Sequence, residues 1–510
     1  MPVARTRAVA LTGVDGSLVE IEADLANGLP AFTIIGLPDT ALGEAKDRVR
    51  SAASNSGLEL PSRRVTVNLS PASLPKHGSA FDVGIAVAAL ATTGALALDH
   101  VAETVHIGEL GLDGRLRPVA GVLPAVLAAR RAGARLVVVP WGNRAEAELV
   151  AGIRVIAAAT LRDVLAVHGA EIEPPAEPIE PIPSPPVVES RTSEGDLSDV
   201  IGHPEAIEAL QVAAVGGHHL MMLGPPGAGK TLLASRLPGL LPDLDADAAV
   251  EVSSVRSLAG LGVGEGLVTR PPLEAPHHSA TTASLVGGGS GLVRPGAISR
   301  AAHGVLFLDE APEFPSAVLD ALRQPLETGE ITIHRARSVA RFPARFQLVL
   351  AANPCPCGQA GTGDAECTCT PHARRRYLAR LSGPLLDRVD LRLTVRRVAA
   401  VQLTGAEGGA ITTEEARARV VAARERTRAR WGEHGWSLNA HVPGTPLRSA
   451  RWRLAPADRA SLDRALERGG LTMRGYDRVL RVAWSIADLE GDDRPRADHV
   501  GRALYLRKGI

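Results

Sequence analysis

The chain is 510 residues long, 45% hydrophobic and only 3% aromatic, and its 56 basic residues are balanced by 56 acidic ones. That length exceeds one compact core and predicts about three domains, while zero net charge excludes a global field that recruits polyanions, so any nucleic-acid contact must come from local patches. No apolar run approaches the ~20 residues of a membrane span, and the start, MPVARTRAVALTGV, lacks a signal-peptide core, so a cytoplasmic protein without a membrane partner is expected.

Residues 1–172 read as a first unit. From Glu173 to Ser198 the chain runs EPPAEPIEPIPSPPVVESRTSEGDLS, with seven prolines between Pro174 and Pro186 and almost no apolar periodicity. This predicts an extended linker over 173–198; a proline-rich ligand for a partner's aromatic groove is the alternative. A helix over 203–215 follows. Then an apolar strand, 220–223, runs into Gly224-Pro225-Pro226-Gly227-Ala228-Gly229-Lys230-Thr231, which satisfies G-x-x-x-x-G-K-[ST] at every specified position. The pattern predicts a phosphate-binding loop for ATP. Its glycines let backbone N–H groups curl round a β-phosphate where a Cβ would intrude. Lys230 reaches the β- and γ-oxygens, and Thr231 offers its hydroxyl to Mg²⁺. Lys230 is one of four lysines against 52 arginines, and a compact ammonium suits a place that a forked guanidinium would not.

Asp309 lies 79 positions beyond Lys230, more than a strand–helix–strand unit needs, so an insertion is expected. The glycine-rich stretch 277–296, HHSATTASLVGGGSGLVRPG, reads as a moving loop outside the core. Val305-Leu306-Phe307-Leu308-Asp309-Glu310 reads as a buried parallel strand that delivers two acids to its C-terminal edge, where α/β sheets bind ligands. Asp309 would hold Mg²⁺ and Glu310 would polarise the attacking water. Residues 316–327 read as a helix, and 329–335 with 338–342 as a hairpin bearing Arg335 and Arg337 at its tip. A further apolar strand, 345–352, ends at Asn353.

All four cysteines follow as two C-x-C pairs, Cys355 with Cys357 and Cys367 with Cys369, nine residues apart. This is a local device rather than a disulfide framework. Four thiolates at this spacing could close a tetrahedral Zn²⁺ site that pins the loop after Asn353; four reduced thiols or a redox pair are the alternatives. The chain ends in helices: an arginine-dense one over 412–431, with Arg417, Arg419, Arg424, Arg426, Arg428 and Arg430, then shorter ones from Pro456 to Lys508.

The order of these motifs resembles the helix-2-insert group of AAA+ ATPases, which includes magnesium-chelatase subunits and MCM helicases. Particular strings narrow the likeness: Pro276-His277-His278-Ser279, Leu285-Val286-Gly287-Gly288-Gly289, Arg294-Pro295-Gly296, Leu308-Asp309-Glu310-Ala311-Pro312-Glu313-Phe314, Asn353-Pro354-Cys355-Pro356-Cys357-Gly358 and Ser382-Gly383-Pro384-Leu385-Leu386-Asp387-Arg388. Together they resemble the YifB/ComM family of magnesium-chelatase-like ATPases over nearly the whole chain. The resemblance implies an α/β fold: a P-loop AAA+ parallel-sheet domain (199–400) with a C-terminal helical lid (401–510), preceded by a Lon-protease-like α+β domain (1–172). It implies that Asn353 is the sensor orienting the attacking water and that Arg388 is an arginine finger on the γ-phosphate of the adjacent protomer. Arg474 would be the second sensor, with Arg478 and Arg481 within reach of the same helix. A finger in trans makes hydrolysis depend on assembly, so a homo-oligomeric ring, a hexamer, is expected.

Ile107-Gly108-Glu109-Leu110-Gly111-Leu112-Asp113-Gly114-Arg115-Leu116-Arg117-Pro118-Val119 resembles the Lon-protease domain. That domain's Ser–Lys dyad would fall on Ala80 and Leu123. Ser79 is out of register and Lys76 is close to it in sequence, so the scaffold is expected without the peptidase. Lys76, Arg63 and Arg64 are then candidates to face a phosphate backbone, solvated charges being the plainer reading.

Three functions compete. A DNA motor would grip phosphates with Arg335, Arg337 and the insert, without regard to sequence and sensitively to salt. A protein unfoldase and a chelatase-type metal-insertion motor are the others. The resemblance favours the first, since ComM proteins are described as ATP-dependent helicases that migrate branches as incoming DNA recombines in natural transformation. Repair is the alternative setting, with recombination proteins as further partners. A scaffold merely switched by nucleotide would need no water-activating acid. Expected cofactors are ATP and Mg²⁺, with Zn²⁺ at the cysteines.

Overall fold

The computed structural model describes residues 3–36, 39–173, 177–184, 186–187, 195–289, 291–335, 339–360, 367–398 and 411–508. Alternating burial along the first strands builds a mixed seven-stranded sheet from β1 (Ala4–Thr12), β2 (Asp15–Ala26), β3 (Ala31–Ile35), β4 (Arg64–Ser70), β5 (Thr104–His106), β6 (Leu136–Pro140) and β7 (Arg154–Ala158). Their order is β3-β4-β2-β1-β5-β6-β7. The β1–β2 and β2–β4 pairs run antiparallel, the others parallel. The helix Asp82–Ala91, whose every residue is buried, packs against this sheet, as does the helix Val122–Arg131.

A chain of imidazoles runs through this unit. Thr6 Oγ1 donates to the carbonyl of Val101 (3.0 Å) and meets His106 Nδ1 at 2.8 Å; His106 Nε2 meets His168 Nε2 at 2.8 Å, and His168 Nδ1 meets His100 Nδ1 at 2.9 Å. Burial first, then the neighbouring histidines, hold His168 at about 4 and His106 well below 6.5. The unfolded chain takes up these protons near pH 6.5 where the fold refuses them. Stability is therefore full above that pH and falls as the pH drops towards 4, by about 1.4 kcal/mol per pH unit for each proton. Thermal unfolding across this range should show that slope, and His168→Gln should reduce it by one proton's worth.

The second sheet is parallel throughout. It comprises β8 (Leu220–Leu223), β9 (Leu273–Glu274), β10 (Val305–Leu308), β13 (Gln347–Ala352) and β14 (Leu391–Thr394), in the order β9-β10-β13-β8-β14, and the hairpin β11 (Glu330–His334) with β12 (Val339–Pro343) lies between β10 and β13 in sequence. The C-terminal helices close on one side of it. The helix Thr413–Trp431 lies on Pro204–Gly216 and Lys230–Leu240, and its Arg424 donates from Nε (2.9 Å) and Nη2 (2.6 Å) to the carbonyl of Ala214. Trp431, Trp436, Trp452 and Trp484 pack ring against ring in the core of this helical part.

Several elements differ from the sequence reading. The helix expected over 316–327 is two, Ser316–Ala321 and Arg323–Thr328, because Pro325 has no N–H for the carbonyl of Ala321. The glycine-rich insert is not wholly outside the core: Leu285 and Val293 are buried, on a helix (Thr282–Val286) and beside a two-residue strand pair, Gly287–Gly288 with Arg294–Pro295. A helix over Ala246–Ala259, which the sequence reading did not include, is N-capped by Asp245, which accepts from Ala248 N at 2.9 Å. The end of the proline-rich segment is also structured. Asp196 caps a short turn and accepts from Thr413 N at 3.0 Å, tying the start of the second unit to its last helices.

Among the described residues the two units meet through backbone contacts. Gly121 N donates to the Ser257 carbonyl at 3.1 Å, and the β1–β2 turn lies on the hairpin, where Val14 N donates to the Arg341 carbonyl at 3.4 Å. Gly13 pairs directly with Arg341.

Candidate active site

Parallel pairing puts three strand ends side by side. Leu223 faces Ala352 and Leu308 faces Leu350, so Gly224, Asp309, Glu310 and Asn353 all leave the sheet at its C-terminal edge. Gly224 N donates to the Ala352 carbonyl at 3.1 Å, and a Cβ at Gly224 would stand 2.1 Å from the Val395 carbonyl oxygen. Gly227 and Gly229 have φ of 76° and 87°, a left-handed conformation that a side chain would strain. The loop therefore turns back over the start of the Lys230–Leu240 helix with its backbone open to an anion.

Lys230 Nζ donates to the carbonyls of Gly224 (2.7 Å) and Pro225 (3.0 Å) and to Asn353 Oδ1 (3.0 Å). Burial lowers the pKa of this amine, against the pull of Asp309 and Glu310. Thr231 Oγ1 donates to Asp309 Oδ2 at 2.7 Å. A hydroxyl and a carboxylate so placed are hard oxygen donors that suit Mg²⁺. Glu310 has a φ of 50°, rare for a residue with a side chain. Its N–H donates to Asp309 Oδ1 at 2.9 Å and its carbonyl accepts from Glu313 N at 2.7 Å. His278 Nδ1 lies 3.4 Å from Glu310 Oε2. The sequence offered no chemical role for His278; only the pairing of β9 with β10 brings its loop to the acid. His203 is also nearby, its Nε2 3.6 Å from where a Cβ at Gly229 would stand.

Arg388 is elsewhere. It precedes β14, so it sits at the N-terminal edge of the sheet, away from its own phosphate loop. It pairs with Glu327 and donates to the Pro384 carbonyl at 2.5 Å. Its pKa is lowered by burial and then by Arg478, Arg323 and Arg474, which places Arg474 in the same basic cluster. Arg478 pairs with Asp390 at 2.5 Å. Burial works to raise the Asp390 carboxyl, but His218 and Arg478 hold it well below the ordinary range. A cavity of about 730 Å³ opens here, with Arg388, Arg424, Arg428, Arg478 and Arg481 among its lining. It is remote from the chain's own loop, yet it is where positive charge collects.

Arg335 does not point freely outward. Its Nη1 donates to the Gly291 carbonyl at 2.5 Å and its Nη2 to that of Gly289, so the hairpin holds the insert. Arg337 lies outside the described residues. Arg294, on the insert, is exposed. The four cysteines converge: Cys355 Sγ lies 3.3 Å from Cys357 Sγ and 3.6 Å from Cys367 Sγ, and all four sulfurs fall within 4.8 Å of one another. Four sulfurs around one zinc ion stand about 3.8 Å apart, so the group fits that ion. In the first unit Lys76 is buried, correcting its reading as a surface cation; Nζ donates to the carbonyls of Gly36 (3.1 Å), Leu69 (2.9 Å) and Pro71. Ser79 instead donates to Glu109, Leu123 is buried in a helix, and Arg63 and Arg64 are exposed.

The family model for magnesium chelatase, subunit ChlI, matches residues 196–403, that for subunit ChlI of Mg-chelatase 21–143, and that for the ChlI C-terminal region 410–507. An uncharacterized protein of Mycobacterium tuberculosis is 50% identical over 516 residues, covering 100% of this chain and 99% of its own. The competence protein ComM of Haemophilus influenzae is 44% identical over 501 residues, and the uncharacterized protein YifB of Escherichia coli 39% over 502, each covering 98% of this chain and 96% of its own. A Lon protease of Chloroflexus aurantiacus is 32% identical over 140 residues, 26% of this chain and 17% of its own. Among the described residues no helix is long and apolar enough to cross a membrane.

Proposed function

Because the chain belongs to the YifB/ComM family of magnesium-chelatase-like ATPases, we propose that it is a hexameric DNA motor that drives branch migration as incoming or damaged DNA recombines. The observation that carries this reading is the division of the ATPase parts between opposite edges of one sheet. Lys230, Thr231, Asp309, Glu310 and Asn353 share one edge; Arg388 and its neighbours Arg474 and Arg478 share the other. Half a site on each side is what a ring needs, each protomer completing the site of the next. Thr231 and Asp309 would hold Mg²⁺, which when bound would supply positive charge against the phosphates. Lys230 neutralises the phosphates, Glu310 polarises the attacking water and Asn353 orients it. Arg388 stabilises the transition state in the neighbour, and Arg474 or Arg478 acts as second sensor from the same side. Cys355, Cys357, Cys367 and Cys369 hold a structural zinc. The first unit is a Lon-like domain without its dyad, an assembly ring rather than a peptidase.

DNA is the partner because the insert and the hairpin form one body, fastened by Arg335, with Arg294 exposed on it. A cation so exposed would meet a phosphate backbone without reading bases. The relative named for competence, ComM, points the same way. ATP hydrolysis measured without DNA, with single strands and with a four-way junction tests this, with Lys230→Ala as the blank. Stimulation by DNA, greatest with the junction and lost as salt rises, is expected. Robust hydrolysis indifferent to every DNA sinks the motor reading.

A further inference from the structure

We propose that Arg375 and Arg376, on the helix that leaves the cysteine group, form a contact for the phosphate backbone of DNA that is separate from the insert. This rests on the reading of the chain as a DNA motor. The helix Pro371–Leu378 begins two residues after Cys369, and Thr370 caps it, accepting from Ala373 N at 3.2 Å. Its inner face is fixed to the nucleotide edge of the sheet. Tyr377 is buried, and burial, then Glu313 and Glu310, push its phenol up to about 12, so the ring stands beside the acids that follow β10. Just past the helix, Arg380 Nη1 pairs with Glu313 Oε2 at 3.3 Å.

At about 3.6 residues per turn, Arg375 falls on the side of the helix opposite Tyr377, with Arg376 next to it. Both are exposed, and among the described residues neither has a hydrogen-bond or ion-pair partner. Even the half-buried Arg374 finds no partner for its Nε. By contrast, Arg335 and Arg424 donate to backbone carbonyls, and Arg388, Arg430 and Arg478 pair with acids. The helix dipole favours positive charge in this last turn, but it leaves the N–H donors themselves unspent. Two adjacent guanidinium forks on an anchored helix match phosphate oxygens two at a time. Exposed on one turn rather than sunk in a pocket, they suit a polyanion that runs along the surface.

Binding of the full-length protein to a labelled four-way junction, with a non-hydrolysable ATP analogue and over a series of salt concentrations, tests this. Arg375→Gln with Arg376→Gln should weaken binding about tenfold and reduce the slope of log affinity against log salt by about two, close to one unit per lost phosphate contact. Arg375→Lys with Arg376→Lys should keep the slope, because charge releases the counterions. Melting temperature and particle mass should match the wild type in both. A Gln variant with wild-type affinity and slope overturns the contact and leaves the arginines to the helix dipole. A Gln variant of lower particle mass also overturns it, assigning the pair to a neighbouring protomer. Wild-type protein that binds no junction sinks the motor reading together with this one, whereas wild-type binding equalled by the Gln variant sinks this one alone.

Discussion

Arg388→Ala should lower kcat for ATP by about 10³-fold or more, the range known for a missing arginine finger, while binding of a non-hydrolysable ATP analogue weakens only a few-fold. The reason lies in strand polarity. β8 and β14 are parallel, with Leu220 facing Leu391 and Leu223 facing Thr394. Gly224 therefore leaves at one end of the pair and Arg388 enters at the other, separated by the length of the strands, about 13 Å at 3.3 Å per residue. The guanidinium is engaged with Glu327 on the far side. It cannot serve its own nucleotide without unfolding the sheet edge. Mixing Arg388→Ala with Lys230→Ala supplies the decisive comparison. Each is inactive alone, but a mixed ring contains sites whose loop comes from the first and whose arginine comes from the second. Recovered hydrolysis is expected on mixing; a mixture that stays inactive means the arginine acts within its own chain.

The purified protein should carry one zinc per chain, and Cys357→Ser with Cys369→Ser should lose both the metal and most of the ATPase activity. Structural zinc is worth on the order of 10 kcal/mol to the segment it orders. Here that segment begins two residues after Asn353, whose side chain accepts from Lys230. It also lies over the phosphate loop: Gly358, at a φ of 78°, approaches Pro226 so closely that a Cβ would stand 2.5 Å from its ring. Freeing the segment would loosen a wall of the nucleotide site and the contact of Asn353 with Lys230. Metal analysis together with kcat and melting temperature checks this. A double variant that keeps full activity without metal would assign the cysteines no part in the site.

What the sequence made legible is what local pattern encodes. The phosphate loop is contiguous, and the acidic strand and the strand ending at Asn353 are short apolar runs with polar ends, so their shared edge follows from parallel pairing. Lys230, one of only four lysines among 52 arginines, marks itself. Less legible was everything set by contact between distant segments. Leu285 lies in a stretch whose glycines suggest freedom, yet it is fixed by a core assembled from other elements. Arg335 reads as a free cation because its partners are backbone carbonyls of Gly289 and Gly291, which leave no trace in side-chain pattern. Lys76 reads as a surface charge and is buried for the same reason, its three partners being carbonyls. The grouping of Arg388 with Arg474 and Arg478 depends on where the last helices dock, and no spacing announces that.

The turn at Gly13 joins the two halves of the molecule in a way that constrains how force can flow. A Cβ at this position would stand 2.2 Å from the Arg341 carbonyl oxygen, at a φ of 68°, so the first sheet meets the hairpin through bare backbone. The hairpin is thereby held midway along its strands by the first unit, Arg341 facing Thr332, while its far end holds the insert. It works as a lever with its fulcrum at Arg341, and whatever the nucleotide cycle does to the insert must either rock the first unit or be resisted by it. The N-terminal half is then placed as a frame for movement of the insert.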